Sequence, residues 1–168
     1  MKNPIEKIEM AVGNSSLGPV LVAKSRKGLC AVTLGEDRRA QRQYLEQRFP
    51  GAELCEGGAE IEALLAQVIR LVESPRRGLK VSLDLRGTEF QRQVWQALRE
   101  IPAGSTSTYT DIARKIGRPE AVRAVAGACA ANALAVLIPC HRVLRSDGNL
   151  SGYRWGVERK RRLLERER

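Results

Sequence analysis

The sequence predicts an α/β N-terminal unit, a small sheet with flanking helices over residues 1–85, followed by a mainly α domain over residues 86–168 that contains a helix-turn-helix. Three observations predict it. Two apolar runs around a Lys-Ser-Arg-Lys-Gly turn read as a hairpin, and apolar residues at helical spacing follow them. Near Arg86 the composition changes to helix-starting and helix-stopping signals in close succession. Toward the end an alanine-rich helix leads into the longest apolar run, residues 133–138, which closes on a Cys-His pair. A chain of 168 residues fits one large domain or two small ones, and 43% hydrophobic content is enough for a core.

Taken in order, residues 19–23 and 29–34 are the strands of the hairpin, with Gly28 at its turn. Residues 38–49 read as an exposed helix closed by Pro50 and Gly51. Ile61, Leu64, Leu65, Val68, Leu71 and Val72 follow the i, i+3, i+4, i+7 rule of a second helix. Ser74 to Gly78 breaks it. Leu79, Val81, Leu83 and Leu85 then alternate with polar residues, the pattern of a half-buried strand. Thr88-Glu89-Phe90-Gln91 matches a capping box, so a helix follows with Phe90, Val94, Trp95 and Leu98 on its apolar face, ending before Ile101-Pro102. Tyr109 opens a short helix stopped by Gly117, and Pro119 suits the first position of another that runs to about Ala131. This pair is either a helix-turn-helix or an ordinary pair of packed helices; spacing alone permits both. Ala121, Ala124, Ala126, Gly127, Ala128, Ala130 and Ala131 leave the second helix little bulk. It suits close approach to another helix, or to a minor groove only about 6 Å wide.

Lys and Arg outnumber Asp and Glu by 29 to 19, a net charge of +10. Such a surface suits a polyanion, because each neutralised phosphate releases a condensed counterion, although basic charge also serves solubility. The first ten residues carry charges and no apolar core, which argues against a secretory leader. The run at 133–138 is far shorter than the roughly 20 residues of a membrane helix. A cytoplasmic protein is expected, or a nuclear one where the cell has a nucleus. Cys30, Cys55, Cys129 and Cys140 are widely spaced and should be reduced thiols. With His141 the one histidine and no paired ligands, neither a metal nor another cofactor is expected.

Residues 133–138 read as a buried strand leading into Pro139-Cys140-His141-Arg142-Val143. Spacing leaves two readings: a buried inert cysteine beside a satisfied histidine, or a nucleophile whose thiol is activated by a nearby cation or base. Neighbours on a strand point to opposite faces, so contact between Cys140 and His141 requires a bend or a bridging water.

That pentapeptide resembles the active-site signature of the O6-methylguanine-DNA methyltransferase family. The resemblance extends through Gly87-Thr88-Glu89-Phe90-Gln91, Val94-Trp95, Ile101-Pro102, Tyr109, Ala121-Val122-Arg123-Ala124-Val125, Ala130-Ala131-Asn132 and Ser151-Gly152-Tyr153-Arg154-Trp155-Gly156, covering residues 86–167. It implies a DNA repair protein that moves an alkyl group from O6-alkylguanine irreversibly onto Cys140, in single turnover, as a methylated-DNA–protein-cysteine S-methyltransferase. His141 would take the thiol proton through a water, oriented by Glu167, with Glu165 the nearby alternative. Tyr109 would donate a hydrogen bond to the leaving guanine, and Asn132 would tie the helix pair to the active-site loop. The implied partner is double-stranded DNA, bound by a monomer through its minor groove with the damaged base flipped. Arg123 would fill the space of the extruded nucleotide, with Ala121, Val122 and Ala126 on the same helix. Pro139, Val143, Ser151, Tyr153 and Trp155 would form the substrate pocket. Trp155 departs from those relatives that have a small residue near this position, which implies a narrow pocket preferring methyl over bulky adducts.

Three rivals differ at these residues. A non-enzymatic lesion-recognition protein of the alkyltransferase-like kind commonly has Trp in place of Cys140. A transcriptional regulator needs base-reading side chains, of which the alanine-rich helix offers few. A thiol hydrolase needs repeated turnover.

Overall fold

Around the turn at Gly28 the chain builds a four-stranded sheet rather than a hairpin alone. The computed structural model describes residues 4–168; residues 1–3, part of the stretch read against a leader, lie outside them. Strands β1 (Lys7–Ser15), β2 (Gly18–Ser25), β3 (Gly28–Leu34) and β4 (Glu53–Glu56) lie in the order β3-β2-β1-β4, antiparallel except for the parallel β1/β4 pair. The sequence reading missed β1 and β4. In β1 the charges of Lys7 and Glu9 mask a two-residue period in which Ile8 and Met10 point inward.

The sheet is buried on both faces. Ile8, Met10, Leu21 and Ala23 meet Leu45 and Phe49, carried by α1 (Arg38–Arg48) and its C-terminal cap. Val20, Val22, Leu29, Val32 and Leu34 meet Ile61, Leu65, Val68 and Val72 of α2 (Ala59–Glu73), as the helical spacing foretold. The same cluster continues into the second half through Val94, Trp95, Leu98, Val125, Leu134 and Ile138. One core therefore joins both halves of the sequence.

The outer edge of β3 is paired by two passing segments. Leu29 N–H donates to Ser82 O at 2.9 Å, and Asp84 N–H to Leu29 O at 2.8 Å. Val32 N–H donates to Ala133 O at 2.8 Å, and Ala135 N–H to Val32 O at 3.0 Å. These contacts correct both late strand expectations. Residues 79–85 make a single bridge, Leu29 to Leu83, and alternation fails at Asp84, buried to bond Ser25 and Arg86. Residues 133–138 make a single bridge at Leu134 and then turn, with Val136 at a φ of 68°.

The capping box forms at α3 (Glu89–Arg99): Gln91 N–H donates to Thr88 Oγ1 at 3.1 Å, and Thr88 N–H to Gln91 Oε1 at 3.0 Å. Trp95 Nε1 donates to Ala128 O at 2.8 Å, tying α3 to α5 (Val122–Ala130). Helix α4 (Tyr109–Lys115) stops at Gly117, φ 78°, whose N–H bonds Arg114 O while Arg118 N–H bonds Ala113 O. Pro119 does not start α5. It lies in a turn closed by Ala121 N–H to Arg118 O, a position its fixed φ also favours, so the helix begins at Val122. The chain ends in α6 (Val157–Arg166), fastened to the first half by Arg159 Nε to Leu17 O and Arg166 Nη1 to Val72 O, both 2.7 Å. Among the described residues no helix is long and apolar enough to cross a membrane.

Candidate active site

Beyond the turn at Val136, residues Cys140–Arg142 form a single 3-10 turn, and short strand β6 (Val143–Leu144) pairs in parallel with β5 (Ser107–Thr108). Each part places a side chain. The β3 edge fixes Ala133 and Ala135, hence the approach to Cys140. The β5/β6 pair brings Tyr109, first residue of α4, to the same cleft as Cys140. The turn supplies the bend that a strand would have denied to Cys140 and His141.

Asn132 is fully buried and bonds four times in this loop. Its Oδ1 accepts from Leu134 N–H at 2.9 Å, and its Nδ2 reaches Ile138 O at 3.0 Å, Leu134 O at 3.4 Å and Cys140 Sγ at 3.3 Å. A β-branched residue at positive φ is rare, and these bonds surround Val136, holding the turn that contains it.

Below the thiol lies a buried ion network. Glu167, 1% exposed, accepts from His141 Nε2 at 2.7 Å and from Arg142 Nε and Nη2 at 3.0 and 2.8 Å. Arg142 Nη1 also donates to Ile101 O at 2.7 Å. Glu165 is exposed, so of the two carboxylates considered, Glu167 is the one on His141. Burial would raise the Glu167 carboxyl, but the bonds from His141 and Arg142 outweigh it and hold the pKa down to about 2. Burial lowers the His141 pKa, against the pull of Glu167. Because Nε2–H points to the carboxylate, the lone pair of Nδ1 stays free for a proton.

Burial pushes the Cys140 thiol up to about 11, while the Asn132 hydrogen bond and the charge of Lys160 pull it down. Cys129 borders the same cleft with its thiol pushed up to about 12, and it has no bond from Asn132. Lys160, fully buried, donates to the carbonyls of Val143 at 2.7 Å, Gly152 at 3.3 Å and Leu150. It pins the loop over the cleft and sets a cation near the thiol, its own pKa lowered by burial.

The cleft above Cys140 holds about 310 Å³ and is bordered by Tyr109, Ala126, Ser151, Tyr153 and Arg154. Burial raises the Tyr109 phenol, and a hydrogen bond with Ser151 offsets only part of that rise. Burial also pushes Tyr153 well up, and its ring stands edge-on to His141 at 6.5 Å and to Trp155 at 5.2 Å. Three residues expected in the pocket lie beside the cleft. Pro139 and Val143 are buried behind the turn, and Trp155 borders the neighbouring cleft instead. On α5, Arg123, Ala124, Gly127 and Ala130 are exposed, Val122 and Ala126 are half-buried like the N-cap Ala121, and Val125, Ala128 and Cys129 face inward.

Sequence reasoning gave Arg142 and Lys160 no role. Lys160 hides in the run Arg159-Lys160-Arg161-Arg162, which reads as a solvated face. Its spacing to Leu163 and Glu167, i, i+3, i+7, was the available signal.

Residues 89–168 match the family model described as 6-O-methylguanine DNA methyltransferase, DNA binding domain. The chain is 50% identical over 160 residues to the bifunctional transcriptional activator/DNA repair enzyme Ada of Escherichia coli, covering 95% of this chain and 45% of that one. It therefore spans less than half the length of that relative. It is 37% identical over 161 residues to the methylated-DNA–protein-cysteine methyltransferase of Methanosarcina acetivorans, covering 94% of this chain and 96% of the relative. The solved structure of Mycobacterium tuberculosis OGT in complex with DNA superposes with a TM-score of 0.76 at 34% identity, over 96% of this chain and 92% of that one.

Proposed function

Because the chain belongs to the O6-methylguanine-DNA methyltransferase family, we propose that it repairs DNA by moving the alkyl group of O6-alkylguanine onto its own Cys140, once per molecule and irreversibly. The observation that carries this reading is the buried Cys140 thiol, held by Asn132 at 3.3 Å and opening on a cleft beside a histidine that a buried carboxylate orients.

The thiol rests protonated, since its pKa lies near 11. His141 takes the proton on Nδ1 through a water, and Glu167, anionic down to about pH 2, stabilises the imidazolium. Arg142 shares the carboxylate and fixes its direction. Asn132 and Lys160 favour the thiolate left behind. Sulfur then attacks the alkyl carbon: the S–C bond forms, the C–O6 bond breaks, and its electron pair stays with guanine. Tyr109 donates a hydrogen bond to the departing base, offsetting that charge. The product is a thioether, a poor leaving group, so the protein is spent.

The target carbon lies inside the base stack, so the nucleotide must be flipped at a cost of a few kcal/mol. The small exposed face of α5 suits the minor groove, and α4 with α5 then acts as a helix-turn-helix. Arg123 takes the space of the flipped nucleotide, supported by Ala121, Val122 and Ala126. Ser151 and Tyr153 close the pocket. The protein acts as a monomer in the cytoplasm.

Intact mass after incubation with an O6-methylguanine duplex tests the reading. The protein should gain one methyl, and Cys140→Ala none. An unchanged mass with the lesion still in place contradicts it.

A further inference from the structure

We propose that Arg154 is a gate that sets how large an O6 substituent the protein accepts, by separating the Cys140 cleft from a second, aromatic-walled cleft into which a bulky aryl group would extend. This rests on the alkyl-transfer reading and adds to it a determinant of substrate range.

The second cleft holds about 680 Å³ and lies between the sheet, α1 and the loop before α6. Arg154 and Ala130 border both it and the Cys140 cleft, so they form the partition. Its walls include Tyr44, Leu34 and Trp155, surfaces that suit an arene and that a methyl group does not need. The buried Thr33 Oγ1 and Gln41 Oε1 also border it without a hydrogen-bond partner among the described residues.

Arg154 is placed across this boundary by two contacts. Its Nη1 donates to Ala130 O at 3.1 Å, at the end of α5. Its guanidinium lies over the Tyr44 ring at 4.4 Å, which joins the active-site loop to the first half of the chain. Both contacts are at the surface, where each shifts a population by a factor of roughly two to ten. The barrier is therefore a side chain that swings and not a wall of the core. Ala130 offers no bulk to replace it.

Two duplexes differing only in carrying O6-methylguanine or O6-benzylguanine give the test, with Cys140 alkylation followed by intact mass. Reading the benzyl-to-methyl rate ratio cancels any change in DNA affinity, since the duplex is common. Arg154→Ala should raise that ratio roughly tenfold or more, and Arg154→Gln, which is shorter and keeps a donor for Ala130 O, should raise it less. A ratio unchanged or lowered in Arg154→Ala, in a protein that still transfers methyl, overturns the gate. Should Arg154→Ala not fold, an unchanged ratio in Arg154→Gln overturns it. A wild type that takes the alkyl group from neither duplex overturns the transfer reading itself.

Discussion

Arg142, Lys160 and Glu167 bring charge into an interior where it is stable only when paired. The carboxylate of Glu167 answers Arg142 and orients His141, and three carbonyls answer Lys160. Removing one partner of a buried pair leaves the other uncompensated, so Glu167→Gln should destabilise the protein by about 3–5 kcal/mol, read by denaturant unfolding. A loss below about 1 kcal/mol would mean that the pair carries little. The carboxyl is depressed in the folded state, so its contribution is full above about 4.5 and is lost as pH falls toward about 2. His141 is depressed as well, and the proposed mechanism uses its neutral form as the base. Transfer rate should therefore persist as pH drops through 6.5 and decline only below it; a rate already halved at 6.5 or above contradicts this. That Cys140, Asn132, His141 and Glu167 gather in one place was legible because the resemblance named them. Lys160 was not, because a lysine among arginines gives no sign of which one turns inward.

Local signals decided the helices better than the strands. Thr88, Gln91 and Gly117 act through neighbours within a few residues, so the chain around them is enough to read. Thr88→Ala should cost roughly 1 kcal/mol, lowering the melting temperature by about 2–4 °C, with transfer rate unchanged. A drop in rate would place this cap in the catalytic machinery. The two late strand expectations failed for the opposite reason. Residues 79–85 and 133–138 have strand-like patterns, yet their partner is the edge of β3, about 50 to 100 residues away, and each meets it at one bridge. Pro119 misled because a proline suits both a helix start and a turn, and the Gly117 stop left it in the turn.

Across the whole molecule the first half serves the second, because β3 holds the backbone on which the Cys140 loop is built. Its role was legible only as structural, since no residue in it looks catalytic. The division at 85/86 follows a change in composition, but the core runs across it from Val32 to Leu134 and Trp95. We expect a single cooperative thermal transition followed by circular dichroism; two separated transitions would show independent units. The proposed chemistry consumes one thiol per lesion. Titrating a fixed amount of protein with excess O6-methylguanine duplex, and counting lesions removed at completion, tests it most directly. Removal should plateau at one lesion per molecule, with the methyl on the Cys140 peptide. Continued removal beyond that, or a plateau with Cys140 unmodified, would contradict it.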